Sequence, residues 1–213
     1  MRAALNAFSL DWARFLPVAF LLLFPLPLLF ARKTQYRALD ENWAHYTAKG
    51  FTFPWHWLDV VRAFVGTWLL LQVLAINPPE YIAPKLIYGV FGLVLVLAVT
   101  LQTVVCRSRG SFHAPFGFVI GVLIAVLSPI AAGLTLLSAF TVALAFRAAP
   151  AFFGAAAVAA PIFGYFFFPY YYLLPPLTAM SGIPLLLPVL FQREFVLAHR
   201  HIRETHEDHG PLR

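Results

Sequence analysis

The residues with the most chemical potential in this chain are His56, Asp59 and Arg62, with Gly66 four positions beyond Arg62. Residues three or four apart lie on one side of a helix. A guanidinium on that side recognises phosphate through a fork of donors, and an imidazole one turn away supplies an acid or base. The spacing predicts a lipid-headgroup or partner contact made by His56, Asp59 and Arg62 with the flanking Trp55 and Trp57. The same residues also suit a structural purpose. Asp59 and Arg62 can pair and offset their desolvation, with Arg62 snorkelling to set the depth of its helix. Gly66 then leaves room for a neighbouring helix or a headgroup.

Histidines and prolines supply two further candidates. Four of the seven histidines, His199, His201, His206 and His209, stand near the C-terminus beside Glu204, Glu207 and Asp208. Neutral imidazoles near carboxylates bind zinc or a similar metal, so these four are the candidate ligands, although their spacing matches no strict motif. His56 and His113 are the candidates for ligating a haem or chlorophyll-type pigment. No signature accompanies them, and the expectation is a chain without a cofactor. Residues 173–192 contain Pro175, Pro176, Pro184 and Pro188 with Ser181-Gly182 between them. Interior prolines free backbone carbonyls, and helices broken in this way form substrate sites in transporters. A simple kink is the commoner reading of such prolines; the alternative is a substrate path marked by Ser181, Gly182 and Pro184.

The nine acidic residues exclude more than they suggest. None falls in the middle of an expected span, whereas ion-coupled transport needs an ionisable group at membrane depth. No phosphate-cradling glycine loop, Ser-His-Asp order or zinc-protease helix occurs. The single cysteine, Cys106, rules out an intrachain disulfide and a cysteine metal cage. It stands beside Arg107 and Arg109, where acylation is conceivable.

The elements that must carry these residues follow from composition. Of 213 residues, 61% are hydrophobic and 11% charged. Soluble domains carry about a quarter charged residues, and a short chain cannot hide so much apolar surface from water. Lipid is the expected solvent for most of it. A spanning helix needs roughly 20 apolar residues. Spans are expected at about 15–31, 58–77, 85–106, 114–130, 132–147, 150–169 and 173–192. Ser128-Pro129 and Gly133 divide the long run 114–147 into a tight hairpin of two short helices. Segment 15–31, interrupted by Pro17, Pro25 and Pro27, either spans or re-enters. No small-x-small cleavage site follows it, so it reads as retained and not as a signal peptide.

Positive charge sets the orientation. With seven spans and the N-terminus outside, twelve of the fifteen Lys and Arg fall on the cytosolic side, and only Arg2, Arg14 and Lys85 lie opposite. If 15–31 re-enters, Lys85 alone remains outside. Both layouts put the C-terminal tail in the cytosol. The net charge of +6 then reflects topology and anionic-lipid contact, and nucleic-acid binding is not expected.

Residues 33–48 carry Tyr36, Leu39, Trp43 and Tyr46 at helical spacing, which predicts a short amphipathic helix at the interface. The aromatic run from Phe51 to Trp57 is a second interfacial feature. Small residues dominate 145–160 and predict close helix contacts. The expected architecture is all-α: a polytopic transmembrane bundle of seven spans, or six plus a re-entrant segment. An N-terminal interfacial segment, 1–14, precedes the transmembrane domain 15–192, and a His-rich cytosolic tail, 193–213, follows it. The expected role is a non-catalytic structural or accessory subunit of a complex in the inner or plasma membrane, with lipid and other membrane subunits as partners. The alternatives are an uncoupled transporter or lipid-handling protein and an interfacial membrane enzyme.

Overall fold

The computed structural model describes residues 11–25, 35–38, 54–74, 85–105, 111–167, 171–193 and 195–199. Among them are seven α-helices: α1 Trp12–Leu23, α2 Pro54–Val73, α3 Lys85–Val104, α4 Phe116–Val126, α5 Pro129–Phe146, α6 Ala149–Phe167 and α7 Leu174–Phe191. Three short strands accompany them: β1 Gln35–Ala38, β2 Phe112–His113 and β3 Phe195–His199.

Four helices, α3, α5, α6 and α7, are long and apolar enough to cross a membrane. Among the described residues these four meet that length and composition, short of the seven spans expected. α1 has 12 residues and α4 has 11, about 16–18 Å at ~1.5 Å per residue, well short of the ~30 Å of bilayer hydrocarbon. α2 has 20 residues, but His56, Asp59, Arg62 and Gln72 dilute its apolar character.

Local chemistry accounts for the helix ends. Asp11 accepts from the backbone N–H groups of Ala13 and Arg14 and starts α1. The break expected at Ser128-Pro129 is present. Ser128 Oγ accepts from Ala131 N at 3.3 Å, and Pro129 opens α5, where its missing N–H costs nothing. The two helices do not form the tight hairpin that the sequence suggested. α4 packs mainly on α2, whereas α5 packs on α6. The last helix, α7, is continuous through Pro184 and Pro188. Pro175 and Pro176 occupy its first turn, the position that tolerates proline best.

The α2–α4 contact rests on two glycines one turn apart. A Cβ built on Gly117 would stand 2.6 Å from the His56 carbonyl oxygen, and one on Gly121 would collide with the Val60 oxygen. The contact points advance together along both helices, so α2 and α4 run parallel with their backbones in close approach. This is the small-xxx-small packing of helices in lipid.

The strands close one end of the bundle. β3 lies centrally, antiparallel to β1 and parallel to β2, with Gln35 opposite His199 and Phe112 opposite Phe195. Phenylalanines tie this sheet to the helices. Phe153 meets Phe195 at 5.7 Å between ring centroids, Phe112 meets Phe191 at 6.0 Å, and Phe116 stacks on Phe153 at 4.9 Å. One expectation changes here. Residues 35–38 belong to a strand and not to an amphipathic helix, and 195–199, within the expected tail, form a strand. The rest of 33–48, and His201, His206 and His209, lie outside the described residues.

Candidate functional site

α2 places Asp59 and Arg62 one turn apart, and both are buried. They form the expected pair: Asp59 Oδ1 accepts from Arg62 Nε at 3.1 Å and from Nη2 at 2.6 Å. The remaining reach of each side chain goes to another helix. Arg62 Nη1 donates to the carbonyls of Leu21 at 2.7 Å, Leu22 at 3.4 Å and Phe24 at 2.7 Å. These are among the last carbonyls of α1, which have no partner within their own helix. Gln102, on α3, donates to the same Phe24 oxygen at 2.7 Å.

Asp59 does the converse at α4. Its carboxylate accepts the backbone N–H of Phe118, an N-terminal donor of a helix whose flanking Pro115 offers no side-chain cap. An anion at a helix N-terminus and a cation at a C-terminus each complement the local dipole. The ion pair is thus a junction between the ends of the two short helices. The Phe118 ring lies under the guanidinium at 5.6 Å and completes its surroundings. The room at Gly66 is filled by Leu22 of α1, whose Cδ2 would be 2.7 Å from an added Cβ.

His56 begins the same face of α2 and is buried, while Trp57 is 59% exposed. Trp55 lies in the first turn of α2. His56 and Trp57 line a cleft of about 360 Å³ with Val60, Gly117, Ile120 and Phe140. Sequence reasoning missed this cleft, and it also missed the glycine pair at 117 and 121, a spacing that was legible as a helix-packing motif. His113 is buried in β2. Burial first, and repulsion from His56 second, push its imidazole from the ordinary 6.5 down to about 3.

The other sequence candidates are dispersed. Ser181 and Pro184 are buried in α7, and an added Cβ on Gly182 would stand 3.8 Å from Ala157 Cβ of α6. The Ser181 hydroxyl has no hydrogen-bond partner among the described residues. His199 pairs its backbone with Gln35 in the sheet. Among the described residues no group of three His, Cys, Asp or Glu converges. Compared with protein-family models, curated proteins and solved structures, this chain matches none.

Proposed function

We propose that this chain is a multi-pass integral membrane protein serving as a non-catalytic structural or accessory subunit of a membrane complex. One observation carries the reading. The charged pair Asp59–Arg62 is turned inward to cap α1 and α4, while large apolar side chains such as Phe20, Leu137 and Val189 stand more than half exposed on the helix faces. Charges inside and hydrocarbon outside is the arrangement that lipid and partner helices stabilise and that water opposes.

The sheet supports one orientation. The segments 35–38, 112–113 and 195–199 pair with one another, so they share one side, and Arg193 sits over Phe112 at that end. Together with the positive-inside rule, this supports a cytosolic side in a plasma or inner membrane. Purification in mild detergent tests the role. A partner subunit in fixed stoichiometry is the expected result, and an isolated monomer with catalytic turnover would overturn it. The cleft beside His56 favours a second reading, a lipid-handling protein.

A further inference from the structure

We infer that the cleft between α2, α4 and α5 holds an acyl chain of an anionic phospholipid whose headgroup lies against Arg147. The inference rests on reading the chain as a membrane protein. The volume of about 360 Å³ lies within the ~300–1,000 Å³ range of ligand pockets. The cleft lies where α4 begins against the first turns of α2, beside Gly117, and Phe140 of α5 forms its other wall. Its walls are apolar, formed by Val60, Ile120 and Phe140, and Trp57 stands at its rim with its ring largely exposed. A hydrocarbon chain fits such walls, and an indole at the rim suits the headgroup level.

The charge at the end of α5 selects the headgroup. Arg147 caps that helix two turns beyond Phe140, whose ring is linked through Phe152 and Phe153 to Phe195 of the sheet. It is exposed, and it makes no ion pair among the described residues. A guanidinium near a bilayer surface attracts phosphate of anionic lipid. Arg62, the cation that the sequence offered for this task, is already engaged by Asp59 and the α1 carbonyls.

The test uses the full chain in phosphatidylcholine liposomes with a trace of lipid carrying an acyl-chain photocrosslinker. The probe is either phosphatidylglycerol or phosphatidylcholine. Label from phosphatidylglycerol should concentrate on peptides containing Trp57–Val60 and Gly117–Ile120. Ile120→Phe, which fills the cleft, should remove most of that label. Arg147→Asn tolerates the left-handed backbone at this position (φ 52°). It should lower the preference for phosphatidylglycerol roughly fivefold, the worth of one cation near the surface. Label spread evenly over the exposed helix faces would overturn the inference, as would an Arg147→Asn variant with unchanged preference. Liposome flotation separates the two levels: a chain that fails to float overturns the membrane reading, and one that floats without cleft label overturns only the lipid site.

Discussion

Arg62 and Gln102 donate to a single oxygen, the carbonyl of Phe24, each across 2.7 Å and from different helices. That oxygen belongs to the end of a helix too short to span a bilayer, so its free carbonyls need partners supplied by the protein. Arg62 on α2 and Gln102 on α3 supply them, and Asp59 holds the guanidinium in place while it serves the start of α4.

Removing either member of the pair leaves a buried charge uncompensated. Asp59→Asn or Arg62→Met should each cost about 3–5 kcal/mol of stability, read as a lowered melting temperature in detergent. Combining Asp59→Leu with Arg62→Met should recover part of the loss but leave about 1–3 kcal/mol, because the α1 carbonyls and the Phe118 N–H stay uncapped. Full recovery in the double variant would show that the helix ends do not depend on the pair.

Two glycines should respond oppositely to the same change. Gly121→Ala drives a methyl group into the Val60 carbonyl, while an added Cβ on Gly133 of α5 meets nothing within 4 Å. Gly133→Ala should stabilise by about 0.5–1 kcal/mol through helix propensity, and Gly121→Ala should destabilise. Parallel thermal melts decide this, and equal effects would refute the close α2–α4 approach.

His113 makes stability depend on pH. Its folded value, about 3, lies below the ordinary 6.5, so the unfolded chain binds the extra proton between those limits. The stabilisation is complete above pH 6.5 and declines as pH falls toward 3, by up to about 1.4 kcal/mol per unit. Melting temperatures at pH 7.5 and 5.5 should fall more steeply for the native chain than for His113→Gln. Identical slopes would assign the acid sensitivity elsewhere.

Ser181→Ala tests whether α7 carries a substrate path. The buried hydroxyl lacks a partner among the described residues, and an unsatisfied buried polar group is costly by about 1–3 kcal/mol. The substitution should hold or raise the melting temperature. A marked fall would reveal a partner for this hydroxyl and favour a functional role for Ser181, Gly182 and Pro184.

Much of the helical layout was legible because helix hydrogen bonds are local. Apolar length marked α3, α5, α6 and α7; Ser128 and Pro129 marked a break; spacing put Asp59 and Arg62 within pairing distance. The prolines of α7 left a kinked helix and a broken one open, because both share the same composition. Residues 35–38 misled because aromatic spacing over a short window does not distinguish an interfacial helix from a strand whose partners are distant.

What the sequence by itself determined is therefore the lipid-compatible composition, most of the helix positions and the Asp59–Arg62 pairing, all set within a few residues of chain. Only the tertiary structure decided the rest. It joined 35–38, 112–113 and 195–199 into one sheet, set α4 on α2 through Gly117 and Gly121, and turned Arg62 toward the carbonyls of α1. The physical reason is that these contacts join groups far apart along the chain. A donor's type is written in its residue, but its acceptor is chosen by which helix end the fold brings near.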